Sequence, residues 1–80
     1  MHKIVVVEDE AIVASDLAST LRALGYSVVA TVDRAERAIE AVARELPALV
    51  LMDIKLKGEM DGIEAAAILR DKHDVAIVFL

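Results

Sequence analysis

Short apolar runs alternate with amphipathic stretches along the whole chain, and this alternation limits the folds that are open to it. Predominantly apolar runs rich in β-branched residues occur at 4–7, 27–32, 48–52 and 75–80. Runs of this length indicate strands that are buried on both faces. Stretches with helical spacing separate them, so the order is βαβαβαβ. This order predicts an α/β fold, a parallel sheet with helices on both faces and right-handed crossovers.

Helix boundaries are marked by ordinary stop signals. The first helix is predicted over 10–24, with Gly25 placed as its C-terminal stop. The second extends from about 34 to 45 and ends before Pro47, because the residue that precedes a proline disfavours helical backbone. A third, shorter helix follows the loop over 53–62.

Two of these helices carry start signals of the same kind. Asp33 with Glu36, and Asp61 with Glu64, have the spacing of a capping box. Helical spacing also predicts which residues face the sheet: Val13, Leu17, Leu21 and Leu24 in the first helix, Ala35, Ile39, Val42 and Leu46 in the second, and Ile63, Ala66, Ala67 and Arg70 in the third.

Composition excludes several classes of protein. Apolar residues make up 58% of the 80 residues, and the net charge is −5, which excludes disorder and argues against a nucleic-acid surface. The absence of cysteine excludes a disulfide scaffold and a thiolate metal site. The apolar runs are too short for a membrane span or a signal-peptide core. We therefore expect a cytoplasmic protein without membrane contact.

Acidic side chains follow two of the predicted strands. Glu8, Asp9 and Glu10 come directly after the first strand, and Asp53 follows the third. Ligands of open α/β sheets bind beyond the carboxyl ends of the strands. If strands one and three are neighbours, Glu8, Asp9 and Asp53 meet in one pocket. Two simpler interpretations remain open: Asp9 is the N-cap of the first helix, and Asp53 is a turn residue.

Clustered carboxylates have a chemical consequence. Two of them about 4 Å apart repel by roughly 4 kcal/mol at an effective dielectric constant near 20. Such a cluster either raises a pKa or binds a hard cation, and oxygen ligands favour Mg²⁺, with Mn²⁺ as an alternative. A carboxylate beside such a metal can act as a nucleophile toward phosphorus.

These residues resemble a known family. A β-branched strand leads into Glu8-Asp9, the strand Leu49-Val50-Leu51-Met52 leads into Asp53, and Met60-Asp61-Gly62 opens a helix. The combination resembles the receiver domain of bacterial two-component response regulators. The resemblance covers the whole chain and implies a flavodoxin-like fold, here incomplete, with strand order 2-1-3-4.

The resemblance also implies a role for each site residue. Asp53 corresponds to the phosphoacceptor, and Glu8 and Asp9 to the acidic pair that holds Mg²⁺ together with Asp53. The backbone carbonyl of Lys55 is implied as a further ligand. The implied phosphoryl donor is a phosphohistidine on a sensor histidine kinase or a phosphotransfer protein. The implied activity is a signalling phosphoacceptor with self-catalysed phosphorylation and dephosphorylation, not an enzyme.

The sequence departs from the family pattern at three places. Lys57 stands where receivers commonly carry proline, and Gly58-Glu59 makes the loop one residue longer. The family's hydroxyl residue falls one position beyond Leu80, and its phosphate-contacting lysine falls further on. We therefore expect residues 1–80 to be the N-terminal two-thirds of a receiver domain, with any output element outside them.

The last predicted strand is apolar throughout. Val75, Ile77 and Phe79 alternate with Ala76, Val78 and Leu80, so both of its sides are apolar. An edge strand of this kind invites pairing with another chain. The rest of the domain is therefore expected to be cut off, disordered, or replaced by a second copy in a homodimer or a strand-swapped assembly through 75–80.

Other functions fit the sequence less well. Phosphatases of the haloacid-dehalogenase type place an acid two residues after the nucleophile, where this chain has Lys55. A dinucleotide site needs a glycine-rich turn after the first strand, and Glu8-Asp9-Glu10 would repel a pyrophosphate. An interaction module that is not phosphorylated remains the principal alternative.

Overall fold

A computed structural model describes residues 2–80 as four strands and three helices. The strands are all parallel and lie in the order β2-β1-β3-β4. This is the predicted flavodoxin-like arrangement. The elements, in chain order, are β1 (Lys3–Val7), α1 (Ala11–Ala23), β2 (Ser27–Val32), α2 (Ala35–Glu45), β3 (Leu49–Met52), α3 (Gly62–Lys72) and β4 (Ala76–Phe79).

The central strand β1 divides the core into two layers. Val5 and Val7 pack with α2 and α3 on one face of the sheet, whereas Ile4 and Val6 pack with α1 on the other. All four side chains are at most 1% exposed. Successive residues of a strand point to opposite faces, so a strand covered on both sides needs apolar residues at every position.

Alanines make the closest contacts between the helices and the sheet. The buried residues of α1 are Ala14 and Ala18, and the other two helices bury Ala35, Ala38, Ala41, Ala65 and Ala66 in the same way. Small side chains allow helix and sheet backbones to approach closely, and Val42 and Leu69 are the larger side chains buried among them. The predicted set was partly wrong. Ala35, Val42 and Ala66 are buried and Leu17, Leu21 and Ile39 partly buried, but the exposed positions include Val13, Leu24, Leu46, Ile63, Ala67 and Arg70.

One of the two predicted capping boxes forms. Asp61 Oδ1 accepts the backbone N–H of Glu64 at 2.9 Å, and the N–H of Asp61 donates to Glu64 Oε1 at 3.4 Å. The prediction for Asp33 was wrong, because the N-cap of α2 is Arg34, which makes no side-chain capping bond. The Asp33 carboxylate instead lies 3.6 Å from the Arg34 guanidinium.

Helices α1 and α2 end in different ways. Gly25 follows α1 with a φ of 96°, as expected for a glycine stop. Leu46 ends α2 in the left-handed region with a φ of 48°, a conformation that is unfavourable for a leucine. This conformation turns Leu46 outward, which explains why its side chain is 70% exposed although its spacing places it on the inner stripe.

Strand β4 lies at an edge of the sheet. Within residues 2–80 it pairs only with β3. Its partly buried residues Ile77 and Phe79 face the α2 and α3 layer, whereas Val78 and Leu80 are each 49% exposed on the other side. The predicted alternation along this strand is thus confirmed. No helix in the described part of the chain has the length and apolar character needed to cross a bilayer.

Candidate functional site

The register between β1 and β3 decides where the site lies. Val7 is paired with Met52, and the N–H of Asp53 donates to the carbonyl of Val7 at 2.9 Å. Glu8 and Asp53 are therefore equivalent positions, each one residue beyond the last pair of the ladder. On the other side of β1, the N–H of Glu8 donates to the carbonyl of Val32 at 2.9 Å. The backbone at this corner is thus fixed by hydrogen bonds from both neighbouring strands.

Three carboxylates meet at this corner. Glu8, Asp9 and Asp53 each offer one oxygen, and these atoms all lie within 4.8 Å of one another. All three residues are partly buried. The simpler interpretation of Asp9 as a helix cap was wrong, because Glu10 is the N-cap of α1 and makes no side-chain capping bond. Asp9 therefore lies one residue before the N-cap of α1 and does not cap the helix itself.

Glu8 is the innermost of the three acids. Its Oε2 atom is buried and has no hydrogen-bond partner within residues 2–80. Burial, together with a hydrogen bond to Asp53 and the charge of Asp53, raises the pKa of Glu8 from an ordinary 4.5 to about 7. A buried carboxylate beside another carboxylate is costly in its charged form, and a cation would reverse that cost.

Within residues 2–80, no basic side chain lies within 4 Å of the carboxylate oxygens of this cluster. Among the described residues, the ion pairs within 4 Å are Arg34 with Asp33 and Arg44 with Glu45, and neither involves the cluster. Asp53 Oδ1 accepts a hydrogen bond from the backbone N–H of Lys55 at 3.3 Å, and the Lys55 residue is exposed. An all-oxygen donor set with an orphaned buried oxygen suits a hard divalent cation such as Mg²⁺ or Mn²⁺.

Gly62 positions Asp53, a role that the sequence did not reveal. The N–H of Gly62, the first residue of α3, donates to the carbonyl of Ile54 at 2.8 Å. A Cβ at position 62 would lie 2.1 Å from the carbonyl oxygen of Asp53. Only glycine allows α3 to start this close to the backbone of Asp53. The sequence predicted a loop that ends at Gly62. Its only indication of a special role for this glycine was the position directly after the predicted helix cap Asp61.

Comparisons with known proteins now identify the family. The model of the response regulator receiver domain matches residues 4–80. The chain belongs to the response regulator receiver family. Among curated relatives, it is 37% identical over 79 residues to the transcriptional regulatory protein PdtaR of Mycobacterium tuberculosis. That alignment covers 99% of this chain and 38% of PdtaR, so the chain spans about two fifths of the length of the curated relatives that it matches.

Solved structures show the same fold. The signal receiver domain of a modulated diguanylate cyclase from Desulfovibrio desulfuricans superposes with a TM-score of 0.94 at 34% identity, covering 100% of this chain and 64% of that one. The receiver domain of PhyR from Erythrobacter litoralis gives 0.89 at 35% identity, with 98% and 60% covered. The BeF₃-activated receiver domain of Klebsiella pneumoniae RstA gives 0.88 at 42% identity, with 96% and 64% covered. Receiver domains are typically signalling domains rather than conventional enzymes.

The close approach of Gly62 gives a testable prediction. We expect Gly62→Ala to displace the backbone of Asp53 or the start of α3, and to lower the free energy of unfolding by about 2 kcal/mol or more, as overpacking does. Ala67→Gly, in the exposed middle of the same helix, is the comparison, with an expected loss of about 1 kcal/mol. Urea unfolding measures both changes. Equal losses in the two variants would contradict the steric account.

The raised pKa of Glu8 gives a second prediction. The folded protein binds this proton more tightly than the unfolded chain, so the contribution of Glu8 to stability is fully present below pH 4.5. In EDTA we expect that contribution to be lost as the pH rises through about 7. Glu8→Gln should remove this decline, whereas Asp71→Asn, on α3, should leave it in place. Denaturant unfolding at a series of pH values tests this, and an unchanged decline in Glu8→Gln would contradict the assignment.

Proposed function

We propose that this receiver domain is a phosphoacceptor, and that Asp53 takes a phosphoryl group from a phosphohistidine. The donor is a sensor histidine kinase or a histidine phosphotransfer protein. The observation that carries the proposal is the cluster of Glu8, Asp9 and Asp53 oxygens within 4.8 Å, with one buried oxygen unpartnered within residues 2–80, in a chain of the receiver family. Phosphorylation would then switch an output element outside residues 1–80.

The same residues fit a resident Mg²⁺ ion, with Mn²⁺ as an alternative. The carboxylates of Glu8, Asp9 and Asp53 and the backbone carbonyl of Lys55 would hold it. When bound, the ion offsets the negative charge on the acids and on the transferring phosphoryl group. The unpartnered Glu8 oxygen and the absence of a basic partner within the described residues support this assignment.

The raised pKa of Glu8 and the fixed position of Asp53 favour Asp53 over Glu8 as the nucleophile. Burial raises the pKa of Glu8 to about 7, so near neutral pH and without metal this carboxyl holds its proton for much of the time. Asp53 follows a strand whose backbone is held by β1, and the N–H of Lys55 orients its carboxylate. A fixed carboxylate at the end of a strand provides the positioning on which phosphoryl transfer depends.

The transfer step conserves atoms and charge. A carboxylate oxygen of Asp53 forms a bond to phosphorus while the bond between phosphorus and the imidazole nitrogen breaks. The electron pair of that bond returns to the nitrogen, which is then protonated from solvent. The products are an acyl phosphate on Asp53 and an unmodified histidine. The protein is self-modified in this step, which is why we describe it as a signalling domain and not as an enzyme.

Partners and location follow from the same proposal. We assign the cytoplasm as its location, in keeping with kinase partners and with the lack of a spanning helix among the described residues. One neighbour, PhyR of Bartonella quintana, has been solved in complex with the anti-sigma factor NepR, and its chain matches at 26% identity with a TM-score of 0.89.

Ile12 on α1 is 86% exposed next to the site, and we assign it to the surface that the donor protein contacts.

Phosphorylation of Asp53 is directly testable. We expect Mg²⁺ and acetyl phosphate to label the chain, extended by any residues that follow position 80 in its gene, and EDTA to abolish the labelling. Asp53→Asn should reduce labelling to background because an amide is a poor nucleophile, whereas Asp71→Asn should label normally. Intact-protein mass spectrometry measures the added phosphoryl group.

The possible results separate the alternatives. Labelling that persists in Asp53→Asn would refute the assignment of the acceptor. Binding of Mg²⁺ without any labelling would favour the interaction module that is not phosphorylated. Steady release of phosphate over many turnovers would favour a phosphatase, although Lys55 stands where such an enzyme needs an acid.

The exposed edge at β4 supports a further proposal about assembly. Val78 and Leu80 are each 49% exposed, and within residues 2–80 this strand pairs on one side only. We propose that residues 1–80, when isolated, associate with a second copy through this strand, either by extending the sheet or by exchanging 75–80. Light scattering of the 80-residue chain should give a dimer mass that falls on dilution. Val78→Lys should give a monomer, and a well-folded wild-type monomer at all concentrations would refute the proposal.

A further inference from the structure

A cleft opens beside the carboxylate cluster. It has a volume of about 570 Å³ and lies between the start of α1, the end of β2, the start of α2 and the loop that follows β3. Glu8 and Asp9 form one part of its wall, so the cleft borders the proposed metal site, although Asp53 itself is not among the lining residues. Its charged side chains are Glu8, Asp9, Asp33, Arg37 and Lys57.

Two cations of this cleft have no acidic partner. Among the described residues, neither Arg37 nor Lys57 forms an ion pair within 4 Å, whereas Asp33 is paired with Arg34 at 3.6 Å. Both residues are exposed. The positive charges of Arg37 and Lys57 are therefore available to an anion that enters the cleft.

The backbones that carry these cations are fixed. Arg37 lies in the first turn of α2, which is anchored by the buried Ala35 and Ala38. Lys57 lies in the loop after β3, and its backbone forms an isolated parallel bridge with Arg34, across the end of β1. Gly58 follows with a φ of 98°, which permits the sharp turn after the bridge. The bridge thus fixes the backbone of Lys57 at the wall of the cleft, although this residue belongs to a loop.

The electrostatic balance of the cleft depends on the metal. Without a divalent ion, Glu8, Asp9 and Asp33 oppose the two cations, and an incoming anion gains little. With most of the negative charge of the cluster offset by Mg²⁺ or Mn²⁺, Arg37 and Lys57 are opposed in the cleft chiefly by Asp33, which is paired with Arg34. Cationic side chains in a cleft raise the local concentration of an anionic ligand and increase its association rate.

We propose that Arg37 and Lys57 attract and orient the dianionic phosphoryl group of the donor before its transfer to Asp53. This inference rests on the proposed function of Asp53. It adds two positioning residues that act on the donor and not on the metal. The recognised chemistry is a phosphoryl dianion, which either a small acyl phosphate or a phosphohistidine protein can present. With acetyl phosphate, the bond from phosphorus to the acyl oxygen breaks, and acetate leaves with the electron pair.

The test compares two double variants of equal charge. Arg37→Gln with Lys57→Gln removes both cleft cations. Arg70→Gln with Lys72→Gln removes two exposed cations from the last turn of α3, away from the site. Phosphorylation by acetyl phosphate is measured at saturating Mg²⁺. We expect the cleft variant to react about tenfold more slowly at low salt, a difference that shrinks near 1 M salt, where charges are screened beyond about 3 Å. The control should stay within about twofold of the wild type.

Different donors distinguish the source of the phosphoryl group. Phosphoramidate carries less negative charge than acetyl phosphate, so we expect a smaller loss, of about threefold. A phosphorylated histidine phosphotransfer protein should show a loss similar to that of acetyl phosphate. A loss seen only with the protein donor would mean that Arg37 and Lys57 contact its surface, and this would overturn the proposal. Equal rates for the cleft variant and the control would also overturn it.

A binding experiment keeps the proposal testable independently of transfer. In Asp53→Asn with Mg²⁺, titration with inorganic phosphate should shift the amide NMR signals of residues 37 and 57. The cleft variant should bind phosphate several-fold more weakly, and the α3 variant should not. Wild-type labelling without these shifts would refute the role of the cleft and leave Asp53 as the acceptor. Phosphate binding without labelling would support the cleft while counting against the acceptor.

Discussion

The parallel pairing of β1 with β3 is the constraint on which the rest of this structure depends. Because Val7 is paired with Met52, the next residue on each strand is an acid, and the two acids occupy equivalent positions at one corner of the sheet. Asp9 completes the cluster within 4.8 Å. A shift of one residue in this register would move Asp53 to the opposite face and would separate the carboxylates.

The charged carboxylates of the site lower the free energy of unfolding of the domain. Burial and the neighbouring Asp53 raise the pKa of Glu8 to about 7, which means that charging this group works against the folded state. The apolar core must offset that cost, and it does so with closely packed alanines and with β1 side chains that are almost completely buried. A bound cation would convert the same arrangement from a liability into a stabilising interaction. Binding of a metal here would therefore be coupled to folding stability, with Glu8 as one of the carboxylates involved.

Two sets of neighbouring residues influence the carboxylate cluster, one through the backbone and the other through charge. On the backbone side, Gly62 allows α3 to begin in contact with Asp53 and fixes the path of the loop. On the solvent side, Arg37 and Lys57 provide charges without an acidic partner in the described chain. Both residues line the cleft beside Glu8 and Asp9, so the acids of the cluster and the cations next to them lie on the same side of the molecule.

The sequence by itself determined the class of fold, the Asp61 cap and the acids at the ends of two strands, and the family resemblance supplied the strand order. The first three depend on local periodicity and on strand ends, which a linear pattern records, whereas the β1–β3 register of the structure brings the acids together. Only the tertiary structure decided that alanines rather than Val13 or Leu24 pack against the sheet, and that Leu46 turns outward in a left-handed conformation. It also decided that Gly62 touches Asp53 and that Arg37 and Lys57 share one cleft. These features arise from distances between segments that are far apart in the chain, and side-chain spacing along one segment carries no information about them.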